Sequence, residues 1–134
     1  MVILLTVLLL YLPTTASAGT PVKIQVGKKT YKATFYNNKT AKALLKRLPV
    51  SYKMNELNGN EKYKYLNYNL PTNEKAVKKI KAGDIMLYGS DCLVIFYKSF
   101  RTNYEYTRVG RINNPKKLKK AVGKGKVRIK IRKK

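Results

Sequence analysis

This chain of 134 residues contains no histidine, no tryptophan, one cysteine and six acidic residues. Each shortage closes off chemistry. Without histidine there is no Ser–His–Asp or Cys–His activation of a nucleophile and no HExxH metal site. One cysteine builds neither a disulfide framework nor a Cys-rich zinc site. Cys92 sits in an apolar run, with no imidazole to activate it, and reads as a packing residue. The six acids are scattered; Glu56 and Glu61 flank a turn and come nearest to a carboxylate pair. No metal, no organic cofactor and no catalytic residue is expected from this inventory.

What the chain has in excess is positive charge. Thirty Lys and Arg outweigh the six acids and give a formal charge of +24. A surplus of that size repels itself and attracts anionic partners. It is densest near the C-terminus, where eleven of the last nineteen positions are basic. Lys116, Lys117, Lys119, Lys120, Lys124, Lys126 and Arg128 form a candidate polyanion patch. Compositional drift toward lysine is the competing explanation.

Tyrosine is the second excess, with eleven copies. Tyr63, Tyr65 and Tyr68 interleave with Lys62 and Lys64. Tyr97, Phe100, Tyr104 and Tyr106 flank Lys98 and Arg101. Basic–aromatic surfaces can stack single-stranded bases. Tyrosine is also a strand former whose ring packs while its hydroxyl stays wet. No nucleic-acid fold signature accompanies the pattern, so nucleic acid is not an expected partner. The Ser/Lys neighbours Ser51/Lys53 and Lys98/Ser99 are what chance provides in so lysine-rich a chain.

Residues 1–12 read MVILLTVLLLYL, and Pro13-Thr14-Thr15 then leads to the small-x-small triplet Ala16-Ser17-Ala18. An apolar run of about 12 residues falls short of the roughly 20 a spanning helix needs. The expectation is a secretory signal peptide over 1–18, an exported mature chain 19–134 (periplasmic, cell-surface or secreted), and no stable transmembrane anchor. No basic residue precedes the apolar run, which departs from the usual pattern. An uncleaved N-terminal strand or helix is the alternative.

Alternation of apolar and polar residues predicts most of the remainder as strands. Val22, Ile24 and Val26, then Tyr31, Ala33 and Phe35, form a hairpin across Gly27-Lys28-Lys29. Ala41, Leu44, Leu45 and Leu48 fall at helical spacing over 40–48, ended by Pro49. Strands are expected at 50–57, 61–66, 85–88, 92–97, 107–112 and 127–131, with a turn at Asn58-Gly59-Asn60. The run 92–97 is apolar on both faces, so it should be central. A second helix is expected to be capped by Asn114, with Pro115 first and Gly123 as the stop. Residues 67–80 read as a long loop with one helical turn near Val77 and Ile80, and 98–106 as an exposed loop. Strands that do not alternate with helices favour a mainly β, mostly antiparallel closed barrel, its open ends covered by two helices.

Several segments in this order resemble the bacterial cyclophilin-like domain family. They are the helix closing at Leu48-Pro49, the stretch 54–63 (MNELNGNEKY), the stretch 82–90 (AGDIMLYGS), the run 93–100 (LVIFYKSF) and the run 106–112 (YTRVGRI). The resemblance covers about 22–131 and implies an eight-stranded barrel capped by two α-helices. It also implies ligand contact on one outer sheet face, by position near Met54, Glu61, Tyr63, Met86, Tyr88 and Phe100. True prolyl isomerases of this fold carry Phe-His-Arg and Phe-x-x-Gln-Gly-Gly strands, and this chain has neither. Arg108 and Lys53 are the cations left to serve such a groove.

The expected function is a strongly cationic, exported binding module without efficient catalysis, monomeric, taking peptide segments. The alternatives are a divergent peptidyl-prolyl isomerase acting on envelope proteins and a cationic binder of anionic envelope polymers.

Overall fold

A computed structural model of the chain describes residues 19–134; the signal peptide expected over 1–18 lies outside the described residues. The N-terminal hairpin forms from β1 (Thr20–Val26) and β2 (Lys29–Phe35). Their alternate residues Val22, Ile24, Val26, Tyr31, Ala33 and Phe35 all bury in one core. Helix α1 (Lys39–Leu45) starts where the Asn38 side-chain oxygen accepts the Ala41 N–H at 2.8 Å, satisfying a donor that has no partner inside the helix. The helix is shorter than the 40–48 expected. Arg47 and Leu48 donate only three residues back, to the Leu44 and Leu45 carbonyls, so the apolar spacing continues through tightened turns rather than α-helix.

β3 (Val50–Leu57) and β4 (Glu61–Tyr65) follow. Between them Asn58 and Gly59 adopt φ of 54° and 67°, a left-handed pair at the centre of a turn that the Asn60 N–H closes on the Leu57 carbonyl at 3.2 Å. Then come β5 (Lys75–Ala76), β6 (Lys79–Ile80), β7 (Asp84–Tyr88), β8 (Cys92–Phe96), β9 (Phe100–Arg101), β10 (Glu105–Ile112), α2 (Leu118–Val122) and β11 (Val127–Lys133).

Eight strands pair antiparallel in the order β2-β1-β11-β3-β4-β8-β7-β10, and β10 returns to β2 through Gly110↔Phe35, Arg111↔Thr34 and Ile112↔Ala33. The barrel is therefore closed and has no free edge among these strands. Beside the closure, β10 shifts register against β7 between Arg108 and Gly110, a bulge that bends the strand. Gly110 also lies so close to β2 that a Cβ there would press into the Thr34 carbonyl oxygen. The helices cover opposite ends. α1 leaves the barrel just after Phe35 and buries Ala41 and Leu44, whereas α2 buries Leu118 and Val122 beside the β1–β2 turn.

Three expectations are corrected. Residues 67–80 hold no helical turn at Val77 and Ile80; β5 pairs with β10, and β6 pairs with β9. Residues 98–106 are not wholly an exposed loop, since they contribute β9 and the start of β10, and Tyr106 is buried. Both segments gain strand structure from distant partners, which local propensity does not register. The second helix begins at Leu118, not near Asn114. Asn114 Oδ1 accepts the Lys116 N–H, the Pro115 carbonyl accepts the Leu118 N–H, and Lys117 is left-handed at φ 65°, so a separate turn precedes the helix.

One lysine lies inside this apolar frame. Lys62 is fully buried where β4 meets the α2 end. An isolated buried ammonium costs several kcal/mol, but this one has three acceptors for its three N–H bonds. They are Glu56 Oε1 at 2.9 Å, the Gly123 carbonyl at 2.9 Å and the Gly125 carbonyl at 2.6 Å. Glu56 Oε1 also accepts the Tyr97 hydroxyl at 2.7 Å, and its Oε2 accepts the Gly59 N–H at 2.7 Å. Lys62→Met should destabilise the fold by about 3 kcal/mol, because it removes the counter-ion of Glu56 and the donor of the Gly123 and Gly125 carbonyls. Adding Glu56→Gln should recover part of that loss. Urea unfolding of the single and double variants checks this; a double variant no more stable than Lys62→Met would show that the pair is not the source of the loss.

Candidate functional site

Strands β7 and β8 are buried on both faces. Ile85, Leu87, Leu93 and Ile95 point into the barrel, while Met86, Cys92, Val94 and Phe96 join Ile80 and Tyr106 in a second, outer cluster. Tyr63, Val77 and Phe100 pack against it. The short β6–β9 ribbon covers part of this face, and the rest opens as a groove of about 410 Å³. The β3–β4 turn contributes Leu57, Asn58 and Asn60 to its walls, and β4 contributes Glu61, Tyr63 and Tyr65. Tyr88 and Cys92 come from β7 and β8, and Phe100, Thr102, Tyr104 and Tyr106 from the segment leading into β10.

Among the described residues, the large hydrophobic side chains left exposed are Leu57 (43%), Tyr65 (61%), Tyr88 (46%) and Tyr104 (63%). All four line this one groove. Exposed apolar side chains scattered singly need no explanation, but their convergence marks a contact surface. The rings support one another: Tyr88 lies 6.0 Å from Tyr104 and 5.6 Å from Tyr106, and Tyr63 lies 5.9 Å from Tyr65. Edge-on and tilted contacts at these separations are favourable and hold the ring planes. Phe96 beneath joins Tyr106 at 5.5 Å to Phe100 at 5.7 Å.

Glu61 is the charged residue of the groove, and it is buried. Burial pushes its carboxyl up to about 7, with the nearby Glu56 carboxylate adding to the rise. Glu56 goes the other way. Burial raises it, but hydrogen bonds from Tyr97, Lys62 and the Gly59 N–H together outweigh that and hold it below the usual carboxylate range. Two acids within one hairpin are thereby driven apart. Burial also lifts the Cys92 thiol to about 11 and the Tyr106 phenol to about 12.

Of the residues expected at the groove, Glu61, Tyr63, Tyr88 and Phe100 line it together. Met86 lies beneath, fully covered, as a floor residue. Met54 does not reach the groove. It is wholly buried in the barrel core, because successive residues of a strand face opposite sides and Met54 faces inward with Val50 and Tyr52. Arg108 is exposed on β10 and is not among the lining residues; its carbonyl accepts the Asn38 side-chain N–H at 2.9 Å. Lys53 is exposed and paired in register with Arg128. Tyr65, Tyr104 and Tyr106 were not assigned to the site by sequence reasoning. Alternation from Tyr63 could have found Tyr65, whereas the other two depend on how 98–106 folds back.

The expected polyanion patch is exposed at every position. Lys117, Lys119, Lys120 and Lys124 surround a depression of about 770 Å³ at the α2 end, bottomed by Glu56 and Tyr97. Lys116 faces a second depression with Lys29 and Lys32. Lys126 stands clear, and Arg128 donates to Ser51 Oγ at 3.0 Å. No helix among the described residues is long and apolar enough to cross a membrane.

The chain matches the sequence profile of the cyclophilin-like family over residues 24–132. No curated protein matches it.

The split carboxyls give a measurable signature. In carboxyl-carbon NMR Glu61 should titrate near pH 7 and Glu56 below 4.5. An unfolded Glu61 titrates near 4.5, so the advantage of its neutral form in the fold is complete below that value and is lost as the pH climbs through about 7. The stability of Glu61→Gln relative to the parent should therefore rise between pH 4.5 and 8, as read by urea unfolding. A difference constant with pH would contradict the burial of this carboxyl.

Proposed function

This chain belongs to the cyclophilin-like family, and on that footing we propose that it is an exported binding module, without efficient catalysis, whose tyrosine-lined groove holds a short segment of peptide. One observation carries the reading: the exposed large hydrophobic side chains converge on a single concave face floored by an apolar cluster. An aromatic groove with a few polar groups is what an extended segment with an apolar side chain or proline ring would occupy. Among the described residues no Lys or Arg lines it, so the cation that resembling isomerases place over the twisted imide has no counterpart. Export rests on the leader pattern of 1–18.

Titration of the protein with a proline-containing hydrophobic peptide should move the amide signals of Tyr63, Tyr88, Phe100 and Tyr104. Tyr88→Ala should weaken binding about fivefold or more, the size of a lost aromatic anchor. A chromogenic proline-peptide assay should show no acceleration. Turnover that survives purification and vanishes in Tyr88→Ala would replace this reading with isomerase activity.

A second reading, binding of anionic envelope polymers, is favoured by the lysines gathered around the α2 end. Retention on an immobilised anionic polymer should fall steeply with salt, since exposed charges are screened over about 10 Å at 0.1 M. Changing Lys116, Lys117, Lys119 and Lys120 to Gln should bring elution forward. Retention indifferent to salt would eliminate it.

A further inference from the structure

The groove reverses the charge of the molecule around it. In a chain of net charge +24, the ionisable residue at its wall besides phenols and a thiol is an acid, Glu61, which is only 8% exposed. Among the described residues Glu61 makes no ion pair, and its carboxyl has no hydrogen-bond donor. The ion pair that does form joins Lys62 to Glu56, behind the sheet. Asn60 Oδ1, on the same wall, is buried without a hydrogen-bond partner. Cation–ring contacts occur elsewhere, Lys29 on Tyr31, Arg47 on Tyr68 and Lys62 on Tyr97, and none falls on a groove ring among the described residues. The groove thus offers one unmatched carboxyl, with a second unsatisfied acceptor buried behind its wall, and several open π faces, and it lacks a positive charge.

We propose that the groove recognises the ammonium group of an organic amine with an apolar body, Glu61 serving as counter-ion and Tyr63, Tyr88, Tyr104 and Tyr106 supplying ring faces. This deepens the reading of the groove as the ligand site and rests on it. The ligand chemistry follows from what the site lacks. A buried carboxylate without a counter-ion is costly, and a neutral or anionic ligand supplies none. An ammonium group satisfies the Glu61 carboxylate with N–H donors and gains from ring quadrupoles in a partly desolvated place. A bare divalent cation fits poorly, because it wants six or more oxygens and the wall offers one carboxylate and one amide. A volume of about 410 Å³ accommodates the amine with its hydrocarbon portion seated on the phenol rings.

The binding is pH-dependent in a definite direction. The titratable groups that share the groove with Glu61 are Cys92 on β8, Tyr106 on β10 and the phenols Tyr63, Tyr65, Tyr88 and Tyr104, and those that act on it through the sheet are Glu56 on β3 and Tyr97 beyond β8. Cys92, Tyr97 and Tyr106 are raised and stay neutral, and Glu56 is lowered and stays ionised. Glu61, near 7, is the acid whose charge changes between pH 5.5 and 8. Amine affinity therefore rises with pH across that window.

The test titrates the protein with 2-phenylethylammonium, the neutral 2-phenylethanol and the anionic 3-phenylpropionate at pH 8 and pH 5.5, reading groove amide shifts and calorimetry. The amine should bind about tenfold more tightly than the alcohol at pH 8, and that preference should shrink toward unity at pH 5.5. Glu61→Gln should bring the amine down to the alcohol's affinity at pH 8. The pH comparison on the unaltered protein decides the matter even where Gln at 61 disturbs folding. An alcohol binding as tightly as the amine at pH 8 overturns the ammonium assignment and leaves the groove a ligand site. Tightest binding of the anion also overturns it. If none of the three probes moves groove signals, the ammonium assignment and the groove reading fall together.

Discussion

A single ammonium group set inside a closed barrel constrains much of this molecule. Lys62 can be buried only where three acceptors meet it, and these come from β3 and from Gly123 and Gly125 in the link between α2 and β11. The ion pair in turn holds Glu56 in its charged form, which accepts from Tyr97 and from the Gly59 amide of the β3–β4 turn. The polar cluster therefore ties a hairpin, a helix exit and the residue just past β8 into one unit. Because its groups are matched, it costs far less than its burial alone suggests.

The same pair reaches the opposite side of the sheet. Glu61 and Lys62 are neighbours on β4 and face opposite ways. With Glu56 held ionised close by, the Glu61 carboxyl is kept toward its neutral form by burial first and by that repulsion second. Surface charge and groove charge are thus separate properties. The lysines gather around the α2 end and the outer turns, while the tyrosine groove opens on the face of β4, β7 and β10. A molecule so strongly cationic can still carry a local site of the other sign, because a low-dielectric wall acts at short range and the exposed lysines are screened by solvent and salt.

Much of the fold was legible because half-buried strands alternate with period two. Val22-Ile24-Val26, Val127-Ile129-Ile131 and the doubly apolar 92–97 all occupy the positions their patterns predict. Asn58-Gly59 marked its hairpin because few other pairs tolerate two left-handed residues. The site was legible only in part. Glu61, Tyr63, Tyr88 and Phe100 meet at the groove, yet Met54 faces inward and Met86 is covered. A methionine is equally suited to a groove floor or a core, and position along a resemblance does not decide which. Tyr104 and Tyr106 were missed because their placement follows from β5 and β9 pairing with distant strands.

Taken alone, the order of residues determined where the main barrel strands run, where the first hairpins turn and that histidine-based chemistry is closed to this chain, since these depend on local backbone preference and on which side chains exist. Only the tertiary structure decided that β10 closes on β2 beside Gly110, that Lys62 turns inward to three acceptors, and that Glu61 stands unmatched among tyrosines. Those outcomes depend on which distant surfaces are brought together, and burial and charge energies have no value until that is settled.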